Sequence, residues 1–266
     1  MQINTIEDFA ADVVMTDYQN SPQYTSTNEN WKQITTIIPI GSFKVNINIE
    51  DLQSKLNINK LLIQNLTTSG AGSQINYIQL ERMILLFEFL NIDQDLIYGL
   101  IDWIDSNTET ISSSGAEDNY YLSKEPAYRS ANTYLNNIDE LLLIRGFNRK
   151  ILNVLKPHLT AIDPQYSVNI NTISEDTIRS LHSSIGLINA EKIIRKREKT
   201  PFTNVKEFAL YLKYELKISD TTTNEITSML STNSYNYRVN GLISETNHAI
   251  NFSTDIRLTV DDLKVI

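Results

Sequence analysis

A single strand-like run stands near the start of this chain, and its only candidate partners lie near the other end. Residues 43–49 (FKVNINI) alternate strictly, with Phe43, Val45, Ile47 and Ile49 on one side, the pattern of a half-buried strand. An isolated strand cannot satisfy its own backbone N–H and C=O groups. Comparable alternation returns only in the tail, at Tyr235, Tyr237, Val239, Gly241 and Ile243, then at Ile250, Phe252, Thr254, Ile256 and Leu258. A turn is expected at Ser244 to His248, and a last short strand at 263–266. The two chain ends are therefore expected to share one sheet.

What lies between has a different period. Helical spacing of apolar residues marks 75–91, 93–104, 138–145 and 148–157, and 174–230 holds three or four more short helices. Ahead of the first strand, residues 3–18 place Ile6, Phe9, Ala10, Val13 and Val14 near helical spacing with acids between them, an amphipathic helix. Phe9 and Val13 are expected to pack on the sheet, while Ile3 and Ile6 reach beyond it as a partner surface. Residues 19–33, rich in Asn, Ser, Thr and Gln, read as a loop. The expected fold class is α+β. Residues 1–60 and 231–266 form a discontinuous α/β domain, a helix on an antiparallel sheet, and 61–230 form an inserted all-α domain.

Within that insertion, 140–159 and 178–197 each run helix, Gly-containing turn, helix, with Gly146 and Gly186 at the turns. Such helix-hairpin-helix units can present backbone N–H groups to phosphates, and Lys192, Arg195, Lys196, Arg197 and Lys199 add a basic run. A helix-hairpin-helix DNA-binding protein is thus the alternative reading. Against it, the first glycine position of the second turn holds Ser184, and the formal charge is −9. Nucleic acid is not expected as the partner, because binding phosphates needs local cationic charge.

The most chemical segment follows the helix ending near Ile104. Asp102 and Asp105 are three apart and share a helix face, Asn107 and Glu109 come next, and Glu117 and Asp118 follow. Many oxygen ligands on a loop suit calcium, which takes six to eight oxygens in flexible geometry. An EF-hand is excluded: Thr110 stands where the sharp-turn Gly belongs and Ala116 where the bidentate Glu belongs. Spacing alone fits a solvated acidic loop with Asp105 as a helix cap slightly better than a metal site.

Other chemistries find little footing. The chain has no cysteine, so thiolate zinc, disulfides and cysteine nucleophiles are excluded. His158, His182 and His248 are scattered without ligand spacing, and no phosphate-binding glycine loop or nucleophile elbow occurs. No enzyme is expected. No run of 18 uncharged apolar residues appears, the densest stretch, Met83 to Leu90, being broken by Glu88.

The run LIDWIDSNTE, continuing through GAEDNYYLSKEPAYRSANTYLNNIDELLLIRGF, resembles the signature of the general secretion pathway protein K family. Similar to the same family are IEDLQSKLNINKL at 49–61 with Trp31 before it, VNINTIS at 168–174, PFTNVKEF at 201–208 and the closing YNYRVNGLIS. The resemblance implies a pilin-like α/β fold carrying a large helical insertion. It implies a large minor pseudopilin at the tip of the type II secretion pseudopilus, assembling with I-type and J-type minor pseudopilins during protein export. It also implies a membrane-anchoring segment that residues 3–18 would continue, on the periplasmic side of the bacterial inner membrane, with Ile3, Ile6 and Phe9 toward partners. Finally it implies Ca2+ in the acidic loop, held by Asp102, Asp105, Asn107, Glu109, Glu117 and Asp118. Asn107 departs from the family, where aspartate is common at that position.

Overall fold

Burial at every fourth residue decides how the first helix sits. In the computed structural model, which describes residues 3–34, 37–40, 43–65, 72–245, 248–258 and 263–265, α1 (Ile3–Asn20) is followed by α2 (Asn30–Gln33), β1 (Ile37–Ile40) and β2 (Phe43–Asp51). Ile6, Ala10 and Val14 are buried along one face of α1, with Asp17 a turn further on. Phe9, on the adjoining flank, is 41% exposed, and Val13 is half-buried. This reverses the expectation that Ile6 reaches beyond the sheet and that Phe9 packs on it. Ala10 in that row and its buried neighbour Ala11 let the helix lie close to the sheet, so the bulky Phe9 turns outward. The side chain of Ile3 lies outside the described residues.

The chain continues through β3 (Leu56–Asn57), β4 (Leu62–Asn65), β5 (Gly72–Ile75), α3 (Tyr77–Phe89), α4 (Leu96–Ile104) and α5 (Asp118–Tyr121). Next come α6 (Arg149–Leu155), β6 (Leu159–Thr160), β7 (Val168–Asn169), α7 (Glu175–Ser180), α8 (Leu187–Lys199), α9 (Val205–Tyr214) and α10 (Asp220–Thr227). The last elements are β8 (Leu230–Ser231), β9 (Asn236–Glu245), β10 (His248–Leu258) and β11 (Leu263–Val265). No helix among the described residues is long and apolar enough to cross a membrane.

The main sheet has the order β1–β2–β9–β10–β11, antiparallel throughout, so the early strand does pair with the tail. Register sets Ile47 opposite Gly241 and Ile49 opposite Val239. Val45, Ile47, Ile49, Tyr237, Val239, Ile256 and Leu258 therefore share the buried face with Ile6, Ala10 and Val14. Gly241 leaves room there for the ring of Phe252, its cross-strand neighbour, which a Cβ would approach to 2.0 Å. Strands β9 and β10 extend into the segment expected as a turn, and residues 246–247 between them lie outside the described residues.

The segment expected as a plain loop contains α2, whose Trp31 is buried edge-on to Tyr237 at 5.5 Å and whose backbone N–H donates to Asp17 Oδ2 at 2.8 Å. Beyond Asp51 the chain enters a second buried cluster, running from Leu56 to Leu230. It is mainly helical, but not purely so. β4 and β5 form a hairpin, and β3 with β6 and β7 with β8 make two-residue parallel pairs that satisfy backbone groups where the chain crosses between helices. Residues 138–143 form a 3-10 turn rather than an α-helix, closed by a capping box between Asn137 and Glu140. Buried Arg82 on α3 anchors the return path, its Nη2 donating to the carbonyls of Glu225, Ile226 and Ser228.

Candidate cation site

Helix α4 is buried along almost its whole length because LIYGLIDWI is apolar on nearly every side. Its two acids arrive where the helix ends, against the negative pole of the helix dipole. Asp102 is fully buried: Oδ1 accepts the N–H of Ile111 at 3.0 Å, and Oδ2 is buried with no hydrogen-bond partner. The loop closes over it at Gly115, where a Cβ would stand 1.9 Å from Asp102 Oδ2. Arg145 ties the same turn down by donating to the carbonyl of Gly115 at 2.9 Å, its guanidinium over the ring of Tyr120.

Asp105, at the end of α4, is buried and spends both oxygens on Asn107, accepting its N–H at 3.2 Å and its Nδ2 at 2.7 Å. Asn107 in turn accepts the N–H of exposed Glu109 at 2.7 Å. Glu117, just ahead of α5, accepts from the Ser130 hydroxyl at 3.2 Å through Oε2, while Oε1 is buried without a partner. Asp118 shares Ser130 with it: Oδ1 accepts the Ser130 N–H at 3.0 Å and competes for the same hydroxyl at 3.1 Å, while Oδ2 faces Arg129 at 3.0 Å. Lys124 rests over the ring of Tyr120. Trp103 meets Tyr121 edge to face at 5.0 Å, and Tyr128 lies tilted against Tyr121 at 5.3 Å.

The electrostatics follow from this placement. Burial, then the neighbouring charges of Asp105, Asp102 and Asp118, push the Glu117 carboxyl up to about 7 against the relief of the Ser130 hydrogen bond. Burial raises Asp102 and Asp105 as well, with Asp105 adding to the rise of Asp102. Of the six sequence-predicted ligands, Asp102, Asp105 and Glu117 are thus buried and mutually repelling, and two of them carry an orphaned oxygen. Asn107 and Asp118 are adjacent but engaged, and Glu109 is outside the buried group. Among the described residues, no three acidic or histidine side chains are already gathered as a metal shell. The donor set is all oxygen, and the two orphaned, buried carboxylate oxygens fit a hard cation. Sequence reasoning missed Gly115, Ser130 and Arg145, whose roles depend on contacts across the loop.

The other candidates stay apart. His158 lies beside the hydroxyls of Ser174 and Thr177, and burial lowers its pKa. His182 faces Ser184 and Glu225, and the side chain of His248 lies outside the described residues. In the basic run, buried Arg197 donates to the carbonyl of Ile170, Lys196 to Thr200, and Arg195 pairs with Glu191. Those three cations are engaged within the chain, and Arg197 ties α8 to the segment around β7.

A helix laid on an antiparallel sheet, with a large helical block entering after β2 and leaving before β9, defines a pilin-like α+β protein. Two family models, both described as type II secretion system protein K, match residues 54–164 and 168–231. The chain belongs to the type II secretion system protein K family. It is similar to type II secretion system protein K of Aeromonas hydrophila, 27% identical over 201 residues, which are 72% of this chain and 61% of the relative. The corresponding protein of Klebsiella pneumoniae is 26% identical over 211 residues, 76% of this chain and 63% of the relative. The chain thus spans about three fifths of the length of these curated relatives. In fold it matches a chain from the crystal structure of the GspK–GspI–GspJ complex of enterotoxigenic Escherichia coli, with a TM-score of 0.79 at 18% identity, over 99% of this chain and 92% of that one.

Proposed function

We propose that this chain is the periplasm-facing part of a tip-type minor pseudopilin, a non-enzymatic component of type II secretion anchored at the bacterial inner membrane. It assembles with I-type and J-type minor pseudopilins, the kinds of protein with which the structural neighbour was crystallised. Residues 1–60 and 231–266 serve as the pilin-like domain, and 61–230 as the insertion whose bulk caps the fibre.

The observation that carries this reading is on α1. One face of the helix is already consumed by the sheet, yet Phe9 remains 41% exposed on the flank, beside half-buried Val13. A neighbouring pseudopilin helix laid along that flank would cover both. Ile3 extends the same element toward the anchor, whereas Ile6 serves the sheet. Mixing the chain with I-type and J-type partners and measuring the mass of the complex tests the assembly. Phe9→Ser should weaken the complex at least about tenfold while leaving the melting temperature within about 2 °C, since an exposed side chain holds little of the fold. A ternary complex of unchanged affinity would remove α1 from the interface.

The acidic loop is proposed to hold Ca2+ through Asp102, Asp105 and Glu117, with Asn107, Asp118 and Glu109 in reach from the same loop. Bound there, Ca2+ would supply positive charge to carboxylates that otherwise repel one another at a helix C-terminus. Gly115 and Arg145 hold the loop closed around those side chains, and Ser130 orients Glu117.

A further inference from the structure

Helix α3 is apolar on more sides than its packing uses. Met83, Leu86 and Phe87 go into the core with Gln79 and Arg82. The opposite side carries Tyr77, Ile78, Ile84 and Leu85, residues on one helical face, and these are exposed or only half-buried. A helix that is apolar all round is normally covered all round. Here α3 forms one wall of a groove of about 550 Å³, closed by Leu181–Ser183 after α7 and by Glu225 on α10. The volume is in the range of sites that take a ligand or a peptide anchor. Tyr77 stands at its mouth, 68% exposed, the kind of amphipathic aromatic that concentrates binding energy when covered.

Charge narrows the occupant. Glu81 on α3 and Glu225 on α10 rim the groove, and both are exposed. None of the described residues lining it is lysine or arginine. His182, also in the lining, already faces Glu225 at 3.3 Å. An apolar floor between carboxylates suits a segment with apolar anchors flanked by lysine or arginine, and repels an acidic one.

We infer that this groove on α3 is a docking site for a basic amphipathic helix of a partner protein, separate from the α1 surface and from the acidic loop. Leucine-rich anchors would enter between Ile78, Ile84, Leu85 and Leu181, while cations would meet Glu81 and Glu225. A second copy of this chain is a poor occupant, because the chain carries net charge −9.

Fluorescence anisotropy with two labelled helical peptides tests this in calcium-saturated protein. One peptide has a leucine face with lysines around it, and the other has the same pattern with glutamates. The lysine peptide should bind and the glutamate peptide should not, and amide exchange should slow on α3 and at 181–183. Tyr77→Ser with Leu85→Ser should weaken binding at least about tenfold, with the melting curve checked alongside. The E81K/E225K pair should exchange the preference, so that the glutamate peptide now binds; this variant keeps the test decisive if the first pair unfolds. No binding by the lysine peptide, binding indifferent to both variants, or protection elsewhere would overturn the proposal. So would dimerisation that Tyr77→Ser abolishes, since that would make a second copy the occupant.

Discussion

Two buried carboxylate centres in this molecule are equally hidden from water and differently treated by the chain. Asp51, where β2 leaves the sheet for the helical block, is saturated. Its oxygens accept the N–H of Gln53 at 2.7 Å, the hydroxyl of Thr172 at 2.5 Å and that of Ser234 at 2.6 Å. These donors come from the segment leaving the sheet, from within the helical block and from the approach to β9, so a single side chain ties both crossings together. Asp102 and Glu117 each bury an oxygen without a hydrogen-bond partner. The first centre completes itself from within the chain, whereas the second keeps buried oxygens that no donor among the described residues satisfies. A buried acceptor without a donor costs about as much as a hydrogen bond is worth or more, so burial without satisfaction signals function better than burial alone.

The comparison breaks most visibly at Asp51. Asp51→Ala should cost about 3–5 kcal/mol, since it strands three donors at a buried charge-assisted site, and urea melts should show the same loss with calcium or with chelator. Asp51→Asn keeps an acceptor and should cost far less. The pH dependence has a definite sign. Burial raises the Asp51 carboxyl to about 6 from 3.8, against the three hydrogen bonds that favour its charge and with Glu50 adding to the rise. Between those values the folded chain holds more protons than the unfolded one. This residue's contribution to stability is therefore greatest below pH 3.8 and is lost as pH rises to about 6. In calcium-saturated protein, Asp51→Asn should flatten that part of the stability-versus-pH curve. An unchanged slope would assign it to another group, such as Glu29, whose carboxyl burial raises to about 7.

The second centre should respond to the cation. Saturation with calcium at about 100 times Kd should raise stability by roughly 2.7 kcal/mol over chelator, and Mg2+, which demands a tighter octahedron, should replace it poorly. Glu117→Ala or Asp102→Ala should erase the calcium effect. In chelator, Glu117→Gln should be no less stable than the parent, because it removes a repelled charge and keeps a partner for Ser130. Identical melts with and without calcium would reduce the loop to an acidic surface segment.

How far the sequence led depended on the range of the interactions. Alternation at Val45, Ile47 and Ile49 and again at Tyr237 and Val239 was legible because a strand writes its burial in its own period, and backbone satisfaction then forced the two ends together. The acidic loop was legible as a concentration of oxygen ligands. Which of its acids keep free oxygens was not, because that turns on Ser130 and Arg129 claiming Asp118 and on Gly115 admitting Asp102. Asp51 gave no local sign at all, since Thr172 and Ser234 are remote in the chain. The flank of α1 was misjudged for a similar reason: helical spacing names the stripe 6, 9, 10, 13, 14, but only the sheet decides which edge of that stripe it covers.

The smallest effect is the control that sharpens the contrast. Glu140 is another carboxylate close in sequence to the acidic loop, and its environment explains why it should behave as neither centre does. Its Oε1 accepts the N–H groups of Asn136 at 2.9 Å and Asn137 at 3.2 Å, at an exposed site that closes the capping box of the 138–143 turn. Water can take over both donors when the side chain is removed, so no buried group is stranded. Glu140→Ala should therefore cost only about 0.5–1 kcal/mol, the ordinary loss of a cap, and the stability difference between calcium and chelator should be the same as in the parent. A calcium effect reduced in Glu140→Ala would mean that cation binding reads the charge of the whole region rather than the orphaned oxygens of Asp102 and Glu117.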